Sequence, residues 1–112
     1  MASALIEIAE TADVAVALRE DAIPVRDDVR AACELLGFDP IHVANEGRFI
    51  AIVGDNDVER ALAILEDHEV SQGATIAGSV QAALGGQVTM RSAFGSTRTV
   101  DMLSGEQLPR IC

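Results

Sequence analysis

The last third of the chain constrains the fold most. Three β-prone runs, residues 74–82, 87–93 and 97–103, follow one another with only Gly85-Gly86 and Gly95-Ser96 marking the breaks. No helical period separates them. Successive strands after helical segments predict antiparallel pairing at that end of a sheet. The expected architecture is therefore α+β, with helices packed on a mixed, largely antiparallel sheet.

The preceding residues supply the helices. Residues 3–12 place Leu5, Ile6, Ile8 and Ala9 at helical spacing behind Ser3, a candidate N-cap. Val14-Ala15-Val16-Ala17-Leu18 alternates larger and smaller apolar residues before Arg19-Glu20-Asp21, which predicts a buried strand running out into a loop. From Asp27, the residues Val29, Ala32, Cys33 and Leu36 fall at i, i+3, i+4 and i+7, and Gly37 supplies a C-terminal stop. Cys33 then lies on an apolar face as a small core residue. Residues 41–44 and 48–53 are β-prone and separated by Asn45-Glu46-Gly47, a connection that predicts a hairpin with Gly47 left-handed. Gly54-Asp55-Asn56-Asp57 should break that strand and cap a helix with Val58, Ala61, Leu62 and Leu65 on one face, ending near His68.

Charge and cysteine usage narrow the function classes. The net charge is −10 and all eight basic residues are Arg, so no basic stripe is available for phosphate backbones or anionic lipid. Nucleic acid and membrane surface are poor partners on this ground. Two cysteines are too few for a secreted disulfide framework, and there is no charged leader followed by an apolar run. The expected compartment is cytoplasmic. A chain of 112 residues forms one domain that buries roughly 65% of its unfolded surface. With three Phe and no Trp or Tyr, its core must be aliphatic.

The chain closes on Gly105-Glu106-Gln107-Leu108-Pro109-Arg110-Ile111-Cys112, which places a thiol on the final residue. Gly105 and Pro109 oppose helix, so the expected organisation is a body over residues 1–104 and a flexible, extended arm over 105–112. Eight extended residues span roughly 25 Å, enough to deliver a thiol to another domain or partner. The α-carboxylate beside Cys112 disfavours the thiolate, and Arg110 offsets this only if the arm folds back. The thiol needs a docking site to become a good nucleophile.

This ending resembles the C-terminus of the HypE family of hydrogenase maturation factors, whose chains finish in Pro-Arg-Ile-Cys. Further stretches are similar to that family in the same order: Ala22-Ile23-Pro24-Val25-Arg26, Ala32-Cys33-Glu34-Leu35-Leu36-Gly37, Asp39-Pro40, Val43-Ala44-Asn45-Glu46-Gly47 and Ala93-Phe94-Gly95-Ser96-Thr97-Arg98. The resemblance implies the C-terminal domain of the aminoimidazole ribonucleotide synthetase-like ATPases, here without their N-terminal ATP-binding domain and incomplete at its N-terminal side. An exposed sheet edge near the N-terminus would follow, which leaves a homodimer open.

The resemblance also implies a chemistry. Cys112 accepts a carbamoyl group from the partner factor HypF, and ATP-dependent dehydration converts the S-carboxamide to a thiocyanate. The cyano group then passes to iron on a HypC–HypD complex, as a ligand for the NiFe hydrogenase. ATP and Mg are implied for the full-length family, with no cofactor on this chain and no ATPase activity of its own. Glu46 becomes a candidate general base, with Asn45 as its hydrogen-bonding neighbour, and Pro109, Arg110 and Ile111 position the thiol. Read from the residues alone, Glu46 is an exposed turn residue before it is a base. His42 and His68 have no metal-ligand spacing with either cysteine, and a chain without lysine has no Walker-type phosphate loop. Gly85-Gly86 reads as a turn. Two other readings stand beside the carrier: an acidic interaction module in which Cys112 is incidental, and a thiol-linked dimer.

Overall fold

The computed structural model describes residues 1–102; the arm over 105–112, with Cys112, lies outside them, as does the last residue of the expected strand over 97–103. Helix α1, Ala2–Ala12, is followed by strand β1, Val14–Arg19, helix α2, Asp27–Leu36, and helix α3, Val58–Glu66. Strands β2, Gly78–Ala82, β3, Gln87–Arg91, and β4, Thr97–Thr99, complete the fold. The expected α+β class is observed, as a four-stranded mixed sheet in the order β2-β1-β3-β4.

Helix α1 forms because its apolar residues repeat on one side. Ala2, Leu5, Ile6 and Ala9, spaced i, i+3, i+4 and i+7, are buried, and Ser3, Glu7 and Glu10 face water. The helix begins one residue before the expected cap: Met1 occupies the N-cap with no side-chain bond, and Ser3 sits within the first turn. Asp13 ends it in the left-handed region, with its N–H donated to the Ala9 carbonyl.

Strand β1 is central. It pairs antiparallel with β2, Val16 opposite Val80, and parallel with β3, Val16 opposite Val88. Successive β-prone runs do not therefore all pair with each other: β3 and β4 are antiparallel neighbours, but β1 stands between β2 and β3. The reason is burial. Val16 and Leu18 face α1 together with Val88, Met90 and Val100, and a strand this apolar gains most from neighbours on both sides. The opposite face of β1 carries Ala15, Ala17 and Arg19, flanked in register by Gln81, Ser79, Gln87, Thr89 and Arg91. Fully burying each Leu, Ile or Val contributes about 1.5–3 kcal/mol, so the α1–sheet interface holds the domain together.

Helix α2 ends as expected at Gly37, which is left-handed and donates its N–H to the Glu34 carbonyl. Cys33 is buried, and Val29 and Leu36 on the same face are 38% and 63% exposed, so α2 packs weakly. Helix α3 shows the predicted face as half-buried Val58, Ala61, Leu62 and Leu65, after one 3₁₀ turn at Asp55–Asp57.

The hairpin expected over 41–53 does not form. Pro40–His42 is a 3₁₀ turn capped by Asp39, whose Oδ1 accepts the Ile41 N–H at 3.1 Å, and residues 43–53 pair with no strand among the described residues. Gly47 does take the left-handed conformation. Pro40 starts the 3₁₀ turn with its fixed φ, which diverts the first arm, and the second arm then has no ladder to join. No helix among the described residues is long and apolar enough to cross a membrane.

Candidate functional site

The link between β2 and β3 must pass over β1, a distance of about two strand spacings or 10 Å. Residues 83–86 do this by crossing the α1–β1 corner. Asp13 receives them, its carbonyl accepting the Ala83 N–H and its Oδ1 the Gly85 N–H, each at 3.3 Å. Gly86 passes so close that a Cβ on it would lie 2.5 Å from the Ala9 carbonyl oxygen. The Gly85-Gly86 pair, a bare turn in the sequence, is a close crossing. Beside it opens a groove of about 450 Å³ lined by residues of α1, the crossing, β3 and the chain from Thr99 to Met102.

Two of the motifs quoted from the sequence meet in space. Arg98 of β4 donates to Asp39 Oδ2, joining the end of the sheet to the 3₁₀ turn at Pro40–His42. Asp39 thus anchors two elements with its two oxygens, and the pair is only partly screened, with 33% and 49% of the side chains exposed. The stretch Ala22–Arg26 is held at its start by Thr75, whose Oγ1 donates to the Ala22 carbonyl at 2.6 Å. At its end, Arg26 grips Asp28 with two bonds, 3.1 and 2.7 Å, and this hydrogen bonding holds the Asp28 carboxyl below the usual aspartate range.

The candidate base lies elsewhere. Glu46 is exposed on the segment between the 3₁₀ turns, and its side chain makes no hydrogen bond or ion pair among the described residues. Asn45 organises the turn rather than the carboxylate: with its amide oriented to satisfy both groups, its oxygen accepts from Arg48 Nε at 3.2 Å and its nitrogen donates to the Glu46 carbonyl at 3.3 Å. Cys33 is buried and free. His42 and His68 join no group of three or more potential metal ligands among the described residues. Cys112, Pro109, Arg110 and Ile111 lie outside the described residues. Sequence reasoning missed the groove. Its one signal was the double glycine, which marks a close backbone approach only when the strand order is known.

The fold defines an α+β domain with an open groove beside the crossing and an exposed segment over residues 43–53. The chain belongs to the family of AIR synthase related proteins, C-terminal domain, whose model matches residues 1–91. It is similar to carbamoyl dehydratase HypE of Rhodobacter capsulatus, 48% identical over 112 residues, all of this chain and 33% of that protein. Among solved structures it is similar to the hydrogenase maturation protein HypE in complex with ATP, with a TM-score of 0.88 and 43% identity over 99% of this chain and 34% of that one. The HypE–HypF complex matches with a TM-score of 0.83 and 36% identity, covering 89% of this chain and 32% of that chain. The chain spans about a third of the length of the curated relatives it matches.

Proposed function

We propose that this chain is the carrier-arm part of a carbamoyl dehydratase of the HypE type, with Cys112 as the carbamoyl acceptor. One observation carries the reading. The family model stops at residue 91, whereas similarity to the Rhodobacter capsulatus HypE runs over all 112 residues, which supports linking the terminal segment and its thiol to the dehydratase.

The Cys112 thiolate attacks the carbonyl carbon of an activated carbamoyl group, the leaving group departs, and an S-carboxamide remains tethered. Dehydration removes the amide oxygen and both N–H protons to leave a thiocyanate, and Glu46 is the candidate to take a proton from nitrogen. ATP, with Mg, supplies the phosphoryl group that makes the oxygen a leaving group. The described residues carry no phosphate loop, and we assign that site to the part of the relatives this chain does not span. HypF is the proposed carbamoyl donor, in keeping with the HypE–HypF complex among the similar structures. A HypC–HypD complex is the proposed acceptor of the cyano group, and the setting is cytoplasmic.

Intact-mass spectrometry after incubation with HypF, carbamoyl phosphate and ATP tests this. The expected result is a carbamoyl-sized adduct that is absent from Cys112→Ala and loses water only when a full-length HypE supplies the ATP domain. Glu46→Gln should accept the adduct and fail to lose water. No adduct from folded protein would reject the carrier reading in favour of an interaction module.

A further inference from the structure

Residues 44–53 form no backbone–backbone hydrogen bond among the described residues. The bonds on either side mark where this segment is held: Val43 donates its N–H to the Pro40 carbonyl at 3.3 Å, and Asp57 donates to the Gly54 carbonyl at 2.8 Å. Glu46 lies between them, so its place is set by what fixes the two ends. The downstream end leads into α3, whose apolar face is only half-buried. The upstream end is the firmer one. Ile41 of the 3₁₀ turn is 5% exposed and belongs to the core cluster with α1 and the sheet.

One apolar plug fixes the depth of a turn but leaves it free to rotate, and a second contact at a distance stops the rotation. Asp39 supplies it. Its Oδ1 accepts the Ile41 N–H at 3.1 Å, and its Oδ2 accepts from Arg98. Arg98 stands in register with the buried Met90, so its side chain shares the α1 face of the sheet, and it reaches the turn from β4, an edge strand. Of the two ion pairs among the described residues, Arg26–Asp28 is local, and Arg98–Asp39 joins parts of the chain 59 residues apart. Five extended residues from Ile41 to Glu46 reach at most roughly 18 Å, so a rotation of about 10° at the turn moves the Glu46 carboxylate by up to roughly 3 Å. A misplacement of about 1 Å is enough to cost on the order of 10²-fold in rate. We propose that Asp39 and Arg98 are positioning residues: their ion pair locks the Pro40–His42 turn to β4 and so holds the Glu46 carboxylate at a fixed place on the body for proton removal from the carboxamide. The proton-removal role rests on the reading of Glu46 as the base; the locking itself does not.

Residual dipolar couplings of the Asn45, Glu46 and Gly47 N–H groups, measured on the full chain, test the lock. They should fit the alignment of α1 and the sheet in the wild type, fall to less than about half their size in Arg98→Met, and return in Arg98→Lys, which keeps a cation for the single contact. Asp39→Asn, which keeps an oxygen for the Ile41 N–H, should give an intermediate loss. The urea midpoint should scarcely move in any of the three, because the pair is partly exposed. In the adduct assay with HypF, carbamoyl phosphate, ATP and full-length HypE, Arg98→Met should form the carbamoyl adduct as the wild type does and lose water about tenfold more slowly or worse, with Arg98→Lys recovering most of the rate. Couplings indifferent to Arg98→Met, or equal slowing of adduct formation and water loss, would overturn the proposal. Water loss indifferent to Glu46→Gln would reject the base reading alone, since the couplings report on the lock without it.

Discussion

The chain divides into two regions of similar apolar content and very different packing. In the first, α1 lies on β1 and β3, and Leu5, Ile6, Val16, Leu18, Val88, Met90 and Val100 are all buried. In the second, residues 43–76, no residue is fully buried, and Phe49, Ile50, Ile52, Val53, Ile64, Val70 and Ile76 are each more than two-fifths exposed. The difference is a second layer. A strand-like run without a neighbouring strand, and a helix without a sheet beneath it, leave their apolar faces in water whatever their sequence.

Paired truncations would break this comparison most directly. Leu5→Ala removes a side chain that is 2% exposed and should cost about 2–5 kcal/mol in urea denaturation. Phe49→Ala removes a larger side chain that is 69% exposed and should shift stability by no more than about 0.5 kcal/mol. Equal losses would mean that residues 48–53 are covered in solution. The crossing sharpens the same contrast from the packed side. Gly86→Ala adds one methyl at φ +48° against the α1 backbone and should cost roughly 1–3 kcal/mol, whereas Gly47→Ala, with open space around it, incurs only the left-handed penalty of roughly 1–2 kcal/mol. Identical thermal midpoints for the two variants would contradict the close approach.

The smallest effect is electrostatic. Because the folded Asp28 carboxyl titrates below the unfolded one, its contribution is present above the ordinary aspartate pKa and is lost as the pH falls through the depressed value. An NMR titration of Asp28 should show the depressed midpoint, and Arg26→Met should return it to the ordinary range. The pair is exposed, and global stability should scarcely respond.

These contrasts also separate what was legible in the sequence. Three of the four buried positions of α1, Leu5, Ile6 and Ala9, the half-buried face of α3 and the glycine stop of α2 followed from local spacing, because a helix satisfies its own backbone, whereas Ala2 lay before the expected start and Ile8 is exposed. The failed hairpin at 41–53 had equally good local signals, including a left-handed Gly47, but a strand needs a partner that spacing cannot name. The same gap hid the insertion of β1 between β2 and β3, and with it the groove. Glu46 and Asn45 are exposed as expected, but on an irregular segment and not at a hairpin tip. The resemblance, not the spacing, gave them chemistry.

The place of β1 in the sheet also governs how the domain is born. Val16 pairs with Val80, sixty-four residues later, and β3 follows after that. At translation rates of 5–20 residues per second, the most apolar strand of the protein waits roughly 3–13 s for its first ladder. During that wait its native cover within the described residues comes from α1, Ile23 and Ile41, all synthesised before β2. A ribosome that pauses after α3 would hold β1 open to passing strands and chaperones alike, so the timing of synthesis as well as the sequence decides how much of this domain reaches its native pairing.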